Sequence, residues 1–206
     1  MSNQNNLKNF ISTFETNEDK KIILEKTMMY KKLLIEENSK INLISKTTID
    51  DIDSRHLLDS LQIINLIKDK EKTIADIGSG AGLPGVMLAI AGCKNINLIE
   101  KQRKKCLFLE KVNKDLGLKM IVHNERVENI ISKKFSYIVS RAFAKIDQIL
   151  KLTKNLSDRN TIYLFMKGKT YIEEVKLINN KKFCVRFFNS ITSSDSGIVE
   201  LMSKWS

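Results

Sequence analysis

Ten consecutive residues, Asp76-Ile77-Gly78-Ser79-Gly80-Ala81-Gly82-Leu83-Pro84-Gly85, constrain the fold of this chain more than any other stretch. Thr73 to Ile77 reads as a short buried strand and Leu83 to Ala91 as a helix, with alternating glycines in the turn between them. Glycine has no Cβ and takes positive φ at no steric cost, so backbone N–H groups in such a turn can approach a ligand closely. Pro84 suits the first helical turn, where its missing N–H is not needed. The next apolar strand, Ile96 to Ile99, ends on Glu100, an acid placed to accept hydrogen bonds from both hydroxyls of a ribose. These features point to a nucleoside-containing ligand at the carboxyl ends of parallel strands.

Two ligand classes compete for the turn. Gly80-Ala81-Gly82-Leu83-Pro84-Gly85 has the dinucleotide spacing G-x-G-x-x-G, followed by the acid Glu100. That pattern expects its first glycine at the strand end, and here Gly78 and Ser79 intervene. Asp76-x-Gly78-x-Gly80 matches instead the first motif of class I S-adenosylmethionine (SAM) methyltransferases. There the acid stands at the strand end and can help hold the ligand's amino group. The residues favour SAM over NAD and leave the dinucleotide open.

The 206 residues suffice for one α/β domain with an appendage, and not for two full domains. A polar N-terminus and the lack of any apolar run near the roughly 20 residues of a membrane span predict a cytoplasmic protein. Cys93, Cys106 and Cys184 are odd in number and stand in apolar contexts, so reduced, buried packing cysteines are expected. Only His56 and His123 are present and there is no C-x-x-C, so no metal is expected. Residues 1–75 carry 12 bases and 12 acids, and the entire formal excess of +11 falls on residues 76–206. A basic glycine-turn segment fits a polyanionic partner. Lysine excess is also what an AT-rich genome produces, so charge alone leaves the partner open.

Along the chain, Glu18 to Glu37 and Ile49 to Ile67 show apolar residues at helical spacing. From Thr73 strands and helices alternate. Strands are expected at 73–77, 96–99, 119–123, 137–139 and 161–166, and helices at 83–91, 103–116, 146–156 and 171–179. Two last strands, near 183–188 and 198–201, have no long helix between them. The pattern predicts an α/β fold with a Rossmann-like sheet, mostly parallel, with an antiparallel edge hairpin and an N-terminal helical extension. The expected division is an extension over 1–70 and one compact SAM-dependent methyltransferase domain over 71–206.

Further stretches carry a specific resemblance: Asn42-Leu43-Ile44-Ser45, Arg55-His56-Leu57-Leu58-Asp59-Ser60, the glycine turn, Glu100 with Lys104-Lys105 and Phe108-Leu109, Arg126-Val127-Glu128, Ser140-Arg141-Ala142-Phe143-Ala144, and Lys167-Gly168. In this order, over about residues 40 to 170, they resemble the bacterial small-subunit (16S) rRNA guanine-N7 methyltransferase family, also called the glucose-inhibited division protein B family. Glu100 stands where many members have Asp. The resemblance implies a class I methyltransferase that takes SAM and acts on 16S rRNA or the small ribosomal subunit, and a monomer is expected. It also implies that Gly78 and Leu83 touch SAM, that Glu100 holds the ribose, that backbone groups of Val127 and Glu128 border the adenine, and that Arg141 lies beside the site.

Chemistry restricts Arg141. Sulfonium and N7-methylguanine are both cations, so a guanidinium aimed at the reacting centre would raise the barrier. The expected partner is the methionyl carboxylate or an RNA phosphate, held bidentately. Guanine N7 has a free lone pair and loses no proton, so no general base is required, and no catalytic acid or base is assigned. The single proline, Pro84, rules out the Asp/Asn-Pro-Pro-aromatic motif of amino-group methyltransferases, and no cysteine stands in a Pro-Cys or Thr-Cys context. Arg55 and Asp59, four apart, suit a helical ion pair, while Arg55 and His56 would alternatively cap the cleft or contact RNA. Lys101, Arg103, Lys104 and Lys105 open the helix after Glu100, as RNA contacts or as a solvated helix end. Rival readings are a SAM methyltransferase with another RNA, protein or small-molecule substrate, an NAD-binding oxidoreductase, and a non-catalytic RNA-binding protein.

Overall fold

The computed structural model describes residues 3–131, 133–169, 171–178 and 182–204. Two helices open the chain, α1 (Asn3–Thr13) and α2 (Lys20–Asn38). The first was not expected, because its opening Asn-Gln-Asn-Asn is polar. Leu7, Ile11 and Phe14 nevertheless recur at helical spacing, and all three are buried. Asp19 caps α2, its carboxylate accepting from the Lys21 N–H, and Ile23, Thr27, Tyr30 and Leu34 form the buried stripe. Asn38 ends α2 by accepting the N–H groups of Leu43 and Ile44, which turns the chain back.

The single helix expected over Ile49 to Ile67 is broken into pieces of different winding. A 3-10 turn (Lys46–Thr48) precedes a π-helical stretch (Asp53–Leu58), then α3 (Asp59–Leu61) and a second 3-10 stretch (Gln62–Leu66). The polar residues of the stretch bind across the fold, Asp53 to Lys31 and both His56 and Asp59 to Arg141. These long-range contacts accompany a winding that departs from the 3.6-residue period, and π-helical turns are rare and short where they occur.

Alternating units follow: β1 (Thr73–Ile77), α4 (Gly85–Ile90), β2 (Asn95–Glu100), α5 (Arg103–Asp115), β3 (Ile121–Asn124), β4 (Tyr137–Arg141), α6 (Ile146–Leu152), β5 (Ile162–Lys167), α7 (Tyr171–Lys176), β6 (Phe183–Asn189) and β7 (Gly197–Ser203). The sheet order is β3-β2-β1-β4-β5-β7-β6. Strands β1 to β5 are parallel, and β7 runs antiparallel to both β5 and β6, as the pattern predicts. Strand order reverses between β1 and β4, and ligand crevices of open α/β sheets lie at the carboxyl ends of strands at such a point.

Both faces of the sheet are buried, so its residues alternate between two apolar clusters. Ile74, Leu98, Val139 and Leu164 face one, and Ala75, Ile77, Ile138 and Phe165 face the other. The first cluster is shared with Leu7, Ile23, Tyr30, Leu34, Leu57 and Leu61. The segment before residue 70 therefore completes one face of the sheet.

Some local expectations change. Pro84 stands just before α4, after a cis Leu83–Pro84 bond, and not within its first turn. The helix expected to run to 156 ends at Leu152 and is followed by a 3-10 turn. Helix α7 stops at Lys176, and Asn179, its expected end, lies outside the described residues. Cys184 is exposed while Cys93 and Cys106 are buried, because β6 is an edge strand. No helix of the described residues is long and apolar enough to cross a membrane.

Leu7 has no solvent exposure and its helix packs on the π-helical stretch. Leu7→Ala is expected to lower stability by about 2–5 kcal/mol through transfer and cavity costs, read as a lower urea midpoint at unchanged slope.

Candidate active site

The turn after β1 is shaped by three glycines with positive φ, Gly78 (+68°), Gly80 (+56°) and Gly82 (+93°). Buried partners hold it from behind. The N–H groups of Gly78 and Ser79 both donate to the Ile99 carbonyl, at 2.9 and 3.1 Å. Glu100 is 6% exposed; its Oε2 accepts the Gly80 N–H at 3.0 Å and its Oε1 accepts the Gln102 N–H at 2.8 Å. From α2, the Tyr30 hydroxyl donates to the Ala81 carbonyl at 2.7 Å. Burial pushes this phenol far above its ordinary range, which keeps it a donor.

Asp76 is fully buried, and its Oδ2 accepts the Gly85 N–H at 2.9 Å, tying the end of β1 to the start of α4. Its Oδ1 finds no partner among the described residues. Burial pushes the Asp76 carboxyl up to about 7, against the opposing influence of the Gly85 N–H and Arg141.

In front of the turn is a cleft of about 500 Å³. Gly78, Gly80 and Glu100 form one wall. Lys101, Gln102 and Lys105 from the start of α5, and Glu125 to Glu128 after β3, form a second. Ala142, Phe143 and Ala144 after β4, with Gln148 and Leu152 of α6, close the third side. A shallower groove continues over Lys101, Gln102, Asn124 to Arg126 and Asn129.

The structure thus brings Gly78, Gly80, Glu100, Val127 and Glu128 together as expected, with Lys101 and Lys105 on the same rim. Arg103 and Lys104 are exposed on the first turn of α5, and Arg103 reaches Glu110 at 3.5 Å. Asp76 and Leu83 are not lining residues: the first acts from inside the turn, and the second is packed in the apolar core.

Arg141, His56 and Asp59 depart furthest from expectation. The Arg141 guanidinium donates to the Arg55 carbonyl (3.0 Å), to Asp59 Oδ2 (3.2 Å) and to His56 Nδ1 (2.9 Å). It does not present its fork to the cleft. His56 is buried, and its Nε2–H donates to Thr48 Oγ1 at 2.7 Å while that hydroxyl donates to the Ser45 carbonyl at 2.8 Å. Both ring nitrogens are engaged, so His56 is a structural bridge and not a contact for RNA. The Arg55–Asp59 ion pair does not form. Asp59 pairs with Arg141, and its Oδ1 also accepts from Gln62 and Thr192, because a half-buried guanidinium must be given a counter-charge. Arg55 contributes only its carbonyl to this node, and its side chain is exposed.

Residues 23–196 match the family described as rRNA small subunit methyltransferase G. The chain belongs to that family. Ribosomal RNA small subunit methyltransferase G of Rickettsia bellii (strain OSU 85-389) is 40% identical over 180 residues, covering 87% of this chain and 93% of that protein. The protein of the same name from Rickettsia rickettsii (strain Sheila Smith) is 39% identical over the same span. Among solved structures, a ribosomal protein L11 methylase from Lactobacillus delbrueckii subsp. bulgaricus superposes with a TM-score of 0.59 at 18% identity, covering 71% of this chain and 77% of that one. An rRNA methylase from Streptococcus thermophilus gives 0.54 at 15% identity, covering 71% and 95%. These two establish a class I methyltransferase fold, and with the family assignment the dinucleotide reading of the glycine turn falls.

Two residues of this methyltransferase carry more than sequence reasoning gave them. Tyr30 is one of several apolar positions on α2, and nothing in the pattern marks its hydroxyl. Phe143 lies within the Ser140 to Ala144 stretch, and its position after the last strand of the crevice was the one available signal.

The bridge at His56 is pH-sensitive. Burial, then the charges of Arg141 and Arg55, lower its pKa from 6.5 to about 4. Between those values the unfolded chain takes up a proton that the folded one refuses, so this stability is present above 6.5 and is lost as pH falls toward 4. In thermal denaturation from pH 7 to 4, His56→Gln is expected to flatten the acid-side fall in Tm relative to the unaltered chain.

Proposed function

We propose that this methyltransferase moves a methyl group from SAM to N7 of a guanine in 16S rRNA, working in the cytoplasm on the free RNA or the small subunit. The conjunction that carries the reading is a glycine turn backed by Glu100, in a chain of the rRNA small subunit methyltransferase G family. The residues fit the donor. Each Glu100 oxygen already accepts one backbone N–H and keeps a second lone pair toward the cleft, which suits the two hydroxyls of a ribose. The bare Cα of Gly80 leaves room for close approach, that of Gly78 is at present covered by the Phe143 ring, and the backbone of Val127 and Glu128 borders the adenine. Asp76 and Leu83 support the turn from behind, and Arg141 sets the end of β4 from its own anchored position.

SAM supplies a methyl on a sulfonium sulfur. The N7 lone pair forms the new N–C bond as the C–S bond breaks, and its electron pair stays on sulfur as a neutral thioether. The positive charge passes to the guanine, and no proton leaves. Side chains therefore act by position: aligning acceptor and donor converts a bimolecular step into a unimolecular one. Arg55, Lys101, Arg103, Lys104 and Lys105 are exposed or half-buried bases available to RNA phosphates.

The direct test is methyl transfer from labelled SAM to 30S subunits and to 16S rRNA lacking the modification, followed by borohydride–aniline cleavage. One new cut in 16S rRNA with incorporated label is expected. Label without a cut would discard guanine N7, and no label in either RNA would discard the substrate.

Lys101, Lys104 and Lys105 form no ion pair among the described residues. Replacing all three by Ala is expected to weaken RNA binding uniformly across sequences. It should also reduce the slope of log K against log salt by about 2–3, at roughly 0.7–0.9 per phosphate contact. An unchanged slope would remove them from the interface.

A further inference from the structure

The Phe143 ring lies directly on the glycine turn. A Cβ built on Gly78 would fall 2.1 Å from Phe143 Cδ2 and 2.7 Å from its Cγ, so ring and glycine are in a close contact that only a bare Cα permits. The ring is also 38% exposed and lines the cleft, where it is the only aromatic side chain among the described residues. Its neighbours differ from it in restraint. Arg141 is pinned by three acceptors on the extension, and the Ala144 carbonyl accepts from Lys167 Nζ, which is paired with Glu174. Between these anchors Ala142 holds φ +52°, the one non-glycine residue in the left-handed region among the described residues. Such a conformation costs of order 1 kcal/mol and persists where the surroundings impose it.

Resting on the reading above, we propose that Phe143 is the stacking platform for the target guanine, and that it leaves Gly78 when the methyl donor occupies the turn. Ring and donor claim the same ground over Gly78, so the two positions of the ring are mutually exclusive with and without donor. The ring, held between Arg141 and Ala144, already borders the open cleft. There it offers a flat apolar face at the end of β4, across the cleft from Glu100. A base drawn out of an RNA stack needs such a face to replace the stacking it loses. Stacking also fixes the plane of the base, and with it the direction of the N7 lone pair. A π-face further favours a guanine that becomes cationic during the transfer. Phe143 is thereby a positioning residue for the acceptor, with donor and acceptor sites coupled through one side chain.

The test compares Phe143→Ala, Phe143→Leu and Phe143→Tyr with the unaltered enzyme, by SAM titration in a calorimeter and by kcat/KM for 16S rRNA or 30S subunits at saturating SAM. Phe143→Ala is expected to bind SAM as tightly as the unaltered chain or more tightly, because no ring has to be displaced. Its kcat/KM for RNA should fall about 5- to 150-fold, the loss of one base–aromatic stack. Phe143→Tyr should keep most activity and Phe143→Leu should not, a comparison that stands even if the alanine variant folds poorly. Equal activity of the leucine and tyrosine variants would overturn the platform. So would a loss confined to SAM affinity, which marks a mere wall of the donor site. Failure of the proposed function is distinguishable, because the unaltered enzyme would then leave both RNAs unlabelled, or labelled without an aniline cut.

Discussion

The glycine turn can keep its open shape only because buried groups take up its backbone dipoles from behind. Its N–H groups go to the Ile99 carbonyl, to Glu100 and to Asp76, and its Ala81 carbonyl goes to Tyr30. Hydrogen bonds to an ionised acceptor contribute about 1.5–3 kcal/mol, roughly twice a neutral pair. The Asp76 acceptor carries the opposite cost, since full burial raises its carboxyl to about 7. Tyr30 links this turn to α2. The first forty residues thus support the glycine turn energetically, though none of those described lines the cleft.

A second node, at Arg141, fixes the other wall. Its guanidinium and Asp59 are both largely withdrawn from water, with side-chain exposures of 17% and 18%. Removing either partner from such a pair strands a charge, and that is far more damaging than the net worth of the pair. Asp59 also collects the hydroxyls of Ser190 and Thr192 from the loop between β6 and β7. One carboxylate therefore ties together the irregular helical stretch, the end of β4 and the edge hairpin. The chain over 53–58, whose polar residues answer to partners far away in sequence, also departs from regular α-winding.

Legibility in the sequence followed from how local the determining forces are. The parallel strands are readable because residues such as Ile74, Ala75 and Ile77 put apolar side chains on both faces, and the edge hairpin because no helix separates its strands. Glycines 78 and 80 and the acid at 100 were readable because their spacing is itself the chemistry. What escaped was set by tertiary partners. Helix α1 hides its three apolar residues behind an asparagine-rich start, and the Tyr30 hydroxyl is invisible in a periodicity. Arg141 and Asp59 are 82 positions apart, so the reading paired Asp59 with its local neighbour Arg55 instead. Cys184 looked buried by composition, and only the strand order shows that β6 is an edge.

The distribution of charge has a structural cause that total charge conceals. The electroneutral first 75 residues contribute acids to the basic remainder at the places where the two pack. Glu18 meets Lys94 and Asp59 meets Arg141, while Asp53 meets Lys31 within the extension. Bases buried or half-buried in the packing are thus matched. Lys101, Lys104 and Lys105 beside the start of α5 are not, because no acid-bearing element of the extension covers the cleft rim, while Arg103 turns to Glu110 of its own helix. Pairing inside the molecule offsets charge where the two parts pack and leaves these three lysines beside Glu100 unpaired among the described residues. Lys101 and Lys105 line the same cleft as Phe143 and the glycine turn, so attraction between them and a polyanion acts at the mouth of the site rather than at a distance from it.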